Sequence, residues 1–226
     1  MICITGDTHA DMTRFKDKKI KSLKAGDILI ICGDFGFIWD DSPKEKAARE
    51  KIGSMKFTTL FVDGCHENFD LLNKFPEEEL FGGKVRRICG NLLALERGYI
   101  YELDGYRFFA FGGGQSANAE ERIDARSYWE EEMPCAEEFD RGLENLKKHD
   151  NAVDYIITHE PPASIKDFLG FETQQTSELS AFLENVRSNA KFTMWYFGKT
   201  HKNKIIPPRF TSIFDDVVSI SPKYQK

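Results

Sequence analysis

The sequence predicts an α/β fold in which a parallel section of strands is followed by an antiparallel section. Short apolar runs recur without alternating, which is typical of strands buried on both faces of a parallel sheet. Helix-start patterns separate the early runs, whereas tight Gly and polar breaks separate those in the middle of the chain. Nearly every strong run ends in a polar cluster, as expected at the carboxyl edge of an open α/β sheet.

Strands and helices are predicted to alternate in the first third of the chain. A short helix is expected in the polar and basic stretch 10–25. A second helix should begin after the cap Ser42, because Pro43 and Glu45 follow it in the first turn, and should run to about Ile52. The strands around these helices are expected over residues 2–5, 27–32 and 58–62.

The middle of the chain is predicted to form antiparallel strands joined by tight turns. Asp104-Gly105 lies between two apolar runs and is a strong hairpin signal. The strands of this section are expected over residues 85–89, 92–95, 99–103 and 106–111.

The rest of the chain returns to the α/β pattern. Its elements are expected over residues 136–148 (helix), 153–158 (strand), 178–186 (helix), 192–197 (strand) and 209–220 (closing strands). Because no repeat, low-complexity tract or linker interrupts the sequence, we expect a single domain over residues 1–226.

The composition limits the classes of protein to which this chain can belong. Its 226 residues are 41% hydrophobic and 30% charged, which is typical of a globular protein. The net charge of -6 disfavours a main role in binding nucleic acid, although a local basic cleft is compatible with it. No apolar run approaches the ~20 residues that span a bilayer, so we expect no membrane segment. The five scattered cysteines favour a reducing, cytoplasmic location over a disulfide framework.

Five of the predicted strands end in side chains that commonly bind metals. Taken singly, an Asp after Gly is most often a turn residue, and a lone His or Cys is most often structural. Recurrence at five strand ends favours a shared site, because open α/β sheets bring such ends together. Carboxylates combined with imidazoles suit Mn, Fe or Zn. The strand ends carry Asp7 and His9, Asp34, Cys65 and His66, His159, and Lys199 and His201.

These strand ends resemble the five ordered motifs of the calcineurin-like metallophosphoesterases. The resemblance implies a four-layer α/β/β/α sandwich of two mixed β-sheets flanked by helices. It also implies hydrolysis of a phosphomonoester or phosphodiester by metal-activated hydroxide at a centre of two divalent ions. The motifs are Asp7-Thr8-His9, Gly33-Asp34-Phe35-Gly36, Gly64-Cys65-His66-Glu67, Thr158-His159 and Gly198-Lys199-Thr200-His201.

The resemblance also implies a role for each matching residue. Asp7, His9 and His201 would bind the first metal, Asp34 would bridge both ions, and His159 would bind the second. His66 would protonate the leaving group or bind the phosphate, so the catalytic residues are expected to be His66 and Asp34. Glu67 would be a supporting residue.

Two positions depart from the family pattern, and both affect the second metal. Cys65 stands where the family has a ligating Asn, and Lys199 stands where it has a ligating His. Three outcomes remain open: Cys65 ligates as a thiolate, Lys199 replaces the second ion with its own charge and holds a phosphate, or the site is inactive.

A strongly acidic segment over residues 115–150 contains 11 Asp and Glu against 5 Lys and Arg. Blocks of like charge usually form a solvated face. The alternative is a cap or insertion bordering the site, in which Arg122 and Arg126 would bind the substrate phosphate.

The sequence therefore predicts a metal-dependent phosphoesterase with a full first metal site and an altered second one. The acidic balance favours a small phosphate ester over nucleic acid as the substrate. The alternative is an inactive binding or scaffold protein on the same fold, because a fold alone does not prove an activity.

Overall fold

The computed structural model describes residues 1–116, 119–125, 127–170 and 177–223. In this part of the chain the strands are β1 (Ile2–Thr5), β2 (Ile28–Cys32), β3 (Thr58–Val62), β4 (Glu77–Leu80), β5 (Gly83–Cys89), β6 (Leu92–Leu95), β7 (Tyr99–Leu103), β8 (Tyr106–Phe111), β9 (Tyr155–Thr158), β10 (Met194–Phe197), β11 (Lys204–Ile206), β12 (Phe210–Ser212) and β13 (Val217–Ile220). The α-helices are α1 (Lys18–Ser22), α2 (Pro43–Gly53), α3 (Phe69–Leu72), α4 (Ala119–Asp124), α5 (Ala136–Lys148), α6 (Ala163–Phe168) and α7 (Glu178–Asn189).

The strands form two mixed sheets. The first has the order β13-β1-β2-β3-β6-β5-β4 and is parallel from β1 to β6, with antiparallel strands at both edges. The second has the order β11-β12-β10-β9-β8-β7, is parallel from β12 to β8, and again has antiparallel edges. The predicted α/β class with two mixed sheets and flanking helices is confirmed.

The core consists of three apolar layers that hold the sheets and helices together. Leu60 of β3 and Phe108 of β8 lie in the layer between the two sheets. Phe61, one residue further along β3, lies in the layer on the outer side of the first sheet, which also contains residues of α1 and α2. Phe109 lies in the corresponding layer under α5 and α7. Successive strand residues point to opposite faces, so strands buried on both faces show no alternation.

The predicted antiparallel section is divided between the two sheets. The hairpin of β5 and β6 belongs to the first sheet and that of β7 and β8 to the second, and the short connection 96–98 crosses between them. We expected one antiparallel section, but β6 and β8 each also pair with a parallel neighbour. The reason is that β6 and β8 lie where the parallel part of each sheet meets its antiparallel edge.

Helix α5 accounts for much of the acidic segment. It packs Leu146 and Phe139 against the second sheet and exposes Glu137, Asp140 and Glu144. This agrees with a solvated helical face. Within the described ranges no helix is both long and apolar enough to cross a bilayer.

A buried ion cluster joins the two sheets and α5. Arg97, in the connection between β6 and β7, donates from Nε to Asp63 Oδ2 at 3.0 Å and from Nη1 to Glu138 Oε2 at 2.9 Å. Its Nη2 also donates to the backbone carbonyl of Glu131 at 2.7 Å. Asp63 follows β3 and Glu138 lies on α5, so one side chain ties three elements together.

Candidate metal centre

The five polar strand ends lie at one edge of the sandwich, as the parallel strands require. Asp7 and His9 follow β1, Asp34 follows β2, and Cys65 with His66 follow β3 in the first sheet. In the second sheet His159 follows β9, while Lys199 and His201 follow β10.

Four of these residues bring possible metal ligands to one point. One ligand atom from each of Asp7, His9, Asp34 and His201 lies within 4.8 Å of the others. His9 Nε2 is 2.9 Å from His201 Nε2 and 3.7 Å from Asp34 Oδ2, and His201 Nε2 is 3.2 Å from Asp7 Oδ2. Two imidazoles and two buried carboxylates form a donor set that fits a first-row divalent cation. This is the set expected for the first metal, and its role as ligands stays a prediction.

Four residues of the site have a backbone conformation that residues other than glycine rarely adopt. His9, Asp34, Lys199 and His201 have φ angles of 43°, 42°, 64° and 49°. Such left-handed residues cost about 1–3 kcal/mol each and persist only where the surroundings impose them. Here the amide of His9 donates to the Asp34 carbonyl at 2.9 Å, which fixes the two loops against each other.

Glycines allow the backbone to approach the two candidate carboxylates. A Cβ at Gly198 would lie 1.9 Å from Asp7 Oδ1, and a Cβ at Gly64 would lie 2.2 Å from Asp34 Oδ1. No side chain fits at these distances. Because Gly198 has no side chain, Asp7 can approach the backbone there, and the amide of Lys199 donates to both carboxylate oxygens of Asp7 at 3.1 and 3.0 Å.

Asp34 is the centre of the hydrogen-bond network. Its Oδ1 accepts from the amides of Cys65 and His66 at 2.7 and 3.0 Å, and its Oδ2 is 2.9 Å from His66 Nδ1. Burial raises the pKa of Asp34, but the nearby charge of His159 and the hydrogen bond and charge of His66 hold it well below its usual value. The hydrogen bond to Asp34, with that to Cys65, raises the pKa of His66 to about 10.

His159 is fully buried beneath the two carboxylates. Its Nδ1 is 3.1 Å from the Cys32 carbonyl, so Nδ1 carries a proton and donates it there. Its Nε2 lies 3.4 Å from Asp34 Oδ1 and 3.9 Å from Cys65 Sγ. Burial lowers the pKa of His159, but Asp34 and Asp7 raise it well above the usual value.

Lys199 and Cys65 contact each other at the position expected for the second metal. Lys199 Nζ donates to Cys65 Sγ at 3.1 Å and to the Gln115 carbonyl at 2.8 Å. Burial raises the pKa of the Cys65 thiol, but hydrogen bonds from His159 and His66 and the charge of Lys199 bring it down to about 6. The contact thus joins a lysine donor to a thiol whose pKa is lowered. Asp34, Cys65 and His66 also bring one ligand atom each within 4.8 Å of one another.

Two features of this second position disfavour a second cation. A positive charge already contacts the sulfur that would have to act as a ligand. The resemblance implies an imidazole at residue 199, but lysine stands there, and its ammonium has donors and no acceptor.

Glu67 stabilises two loops of the site by accepting hydrogen bonds from their backbone amides. It is fully buried, and its two carboxylate oxygens accept from the amides of Phe35 at 2.6 Å and Gly64 at 2.8 Å. Burial, with the charges of Asp34 and Asp63, raises its pKa to about 8. Its partners are the loops that carry Asp34 and Cys65, which agrees with the expected supporting role.

Arg122, which we expected to bind the substrate phosphate, has internal partners, and its phosphate-binding role stays a prediction. Its guanidinium is buried, donates to the Cys65 carbonyl at 2.8 Å and to Ser116 and Ser127, and pairs with Glu132. With these internal partners it fits a role in positioning the Cys65 loop. Arg126 lies outside the described residues.

Sequence reasoning missed the group that anchors the Lys199 contact. Buried Glu160 accepts from the Gln115 amide at 2.7 Å and from Lys166 Nζ at 2.7 Å. It also lies 3.8 Å from Lys199 Nζ. Its position directly after His159 at a strand end was a usable signal, whereas nothing in the sequence pointed to Lys166.

A large cavity lies apart from the candidate ligands. Its volume is about 800 Å³, and its lining includes Phe69, Arg97, Tyr128 and Trp129. None of the candidate metal ligands lines it, so we place the chemistry at the strand ends.

One protein family matches most of the chain. The family model described as calcineurin-like phosphoesterase matches residues 1–203. The matched range includes all five polar strand ends. No curated protein matches the chain.

Proposed function

Because the chain belongs to the calcineurin-like phosphoesterase family, we propose that it hydrolyses phosphate esters with a divalent cation held by Asp7, His9, Asp34 and His201. The observation that carries the proposal is the convergence of four ligand atoms within 4.8 Å. The donor set favours Mn, Fe or Zn. The chemistry supplied by such a cation is neutralisation of phosphoryl charge and activation of water.

The residues of the chain supply the remaining chemistry. Asp34 holds His66 Nδ1 at 2.9 Å, which leaves His66 Nε2 to carry a proton to the leaving oxygen. The His66 side chain is 43% exposed, so a substrate can reach it. The net charge of -6 supports a small phosphate ester over nucleic acid as the substrate.

Metal removal and reconstitution test the proposed function. The purified protein should hydrolyse a chromogenic phosphomonoester or phosphodiester with Mn²⁺, Fe²⁺ or Zn²⁺, lose turnover in EDTA, and regain it when metal is restored. Comparing the two substrates assigns phosphatase or phosphodiesterase activity. Absence of turnover with each metal and both substrates would contradict the proposal.

His66→Ala should discriminate between substrates by their leaving groups. If His66 protonates the leaving oxygen, hydrolysis of an alkyl or unsubstituted phenyl ester should fall about 10²-fold. Hydrolysis of a p-nitrophenyl ester should fall far less, because that leaving group needs little help from an acid. The measurement is kcat/KM for a series of leaving groups, and an equal loss across the series would argue against the acid role.

A second candidate function is phosphate-dependent binding without turnover. The observation that favours it is the replacement of two family ligands by Cys65 and Lys199. Under this alternative the protein binds metal and phosphate but shows no hydrolysis, so the reconstitution experiment separates the two functions.

A further inference from the structure

We propose that the Lys199 ammonium takes the place of the second cation, so that the centre binds one metal ion and uses Lys199 to hold a phosphoryl oxygen. This inference rests on the proposed function, and it follows from the position and fixed partners of one side chain.

The ammonium lies among the groups that would hold a second ion. Lys199 Nζ is 3.1 Å from Cys65 Sγ. The same sulfur is 3.8 Å from Asp34 Oδ2 and 3.9 Å from His159 Nε2. A cation coordinated by Asp34, Cys65 and His159 would therefore sit next to a lysine charge at contact distance. Like charges this close repel each other, and the burial of Asp34, Cys65 and His159 around them reduces screening by water.

A hydrogen bond and a nearby carboxylate fix the position of the Lys199 side chain. Its Nζ donates to the Gln115 carbonyl at 2.8 Å and faces Glu160 Oε1 at 3.8 Å. Glu160 is itself buried and accepts a hydrogen bond from the Gln115 amide. This bond fixes the backbone whose carbonyl accepts from Lys199. The backbone φ of 64° at Lys199 is a further sign that the surroundings impose this conformation.

The Lys199 side chain is partly exposed to solvent. The Lys199 side chain is 21% exposed, whereas Cys65 and His159 are buried. A lysine binds phosphate as a compact point charge with three donors. Two of those donors meet Cys65 and Gln115, which leaves the third for an oxygen of the substrate.

Metal counting tests the inference without relying on activity. We expect one equivalent of Mn²⁺ or Zn²⁺ per wild-type chain by elemental analysis and calorimetric titration. The double variant Cys65→Asn with Lys199→His, which restores the family ligands, should bind two. Two equivalents in the wild type, or one in the folded double variant, would overturn the inference and leave the proposed function intact. No bound metal together with no turnover would overturn both.

Phosphate affinity provides a second test that does not depend on the double variant. Inorganic phosphate should inhibit the metal-loaded Lys199→Met variant roughly 10- to 100-fold more weakly than the wild type, because one charged hydrogen bond is lost. The control Lys147→Met, on the exposed face of α5, should leave the inhibition constant unchanged. Equal inhibition of Lys199→Met and wild type would refute the role of Lys199.

Discussion

Asp34→Asn should reduce kcat/KM by more than about 10³-fold, since loss of an outer-shell partner of a metal ligand alone typically costs 10- to 100-fold. Asp34 belongs to both groups of candidate ligands and accepts hydrogen bonds from the amides of Cys65 and His66. The asparagine keeps the shape but removes the negative charge. Bound metal should fall together with activity, and both are measured on the purified variant.

Asp140→Asn is the matched control for this prediction. Asp140 lies on the exposed face of α5, so the same chemical change there should alter neither metal content nor turnover. If Asp34→Asn retained activity within tenfold of the wild type, Asp34 would not be a ligand of the proposed metal centre.

Arg97→Met should lower the free energy of unfolding by about 3–5 kcal/mol, the typical cost of removing one partner from a buried ion pair. The methionine keeps much of the apolar volume but leaves Asp63 without its cation and removes one of the two arginines that pair with Glu138. Urea denaturation at neutral pH measures the change.

Lys84→Met is the comparison for Arg97. Lys84 pairs with Glu77 at 3.3 Å between two exposed side chains at the edge of the first sheet, where water already screens the charges. The urea midpoint of the Lys84→Met variant should match that of the wild type. A loss below about 1 kcal/mol in Arg97→Met would show that the ion cluster contributes little to joining the sheets.

Local signals were strong enough to locate many of the elements. Strand β3 was predicted with the bounds that the structure has, because an apolar run ends at Asp63-Gly64. Helix α2 begins after Ser42, whose side chain accepts from the amide of Glu45 at 3.3 Å. Helix α5 was predicted from its spacing of apolar residues.

Elements without a local apolar signal were missed. Strand β4 (Glu77–Leu80) is an acidic edge strand, and its backbone pairing with β5 is what makes it a strand. Helix α6 (Ala163–Phe168) is short and follows Pro162 without a side-chain cap. The division of the hairpins between two sheets depends on packing between distant segments, which local patterns do not encode.

The candidate ligands were predictable as a group, whereas their contacts were not. Parallel strands end at one edge, so the polar residues after β1, β2 and β3 had to meet there. The partners of Lys199 and Arg122 depend on the loops 64–66 and 115–116, whose paths follow from the whole fold. For that reason the contact of Arg122 with the Cys65 carbonyl was not foreseen, and its expected role at the phosphate stays a prediction.

The most direct test of the central claim is anomalous diffraction from crystals of the protein loaded with Mn²⁺ or Zn²⁺. The account predicts one anomalous peak, bounded by Asp7, His9, Asp34 and His201, with Lys199 Nζ still in contact with Cys65. A second peak coordinated by Cys65 and His159, or no peak beside Asp34, would contradict it.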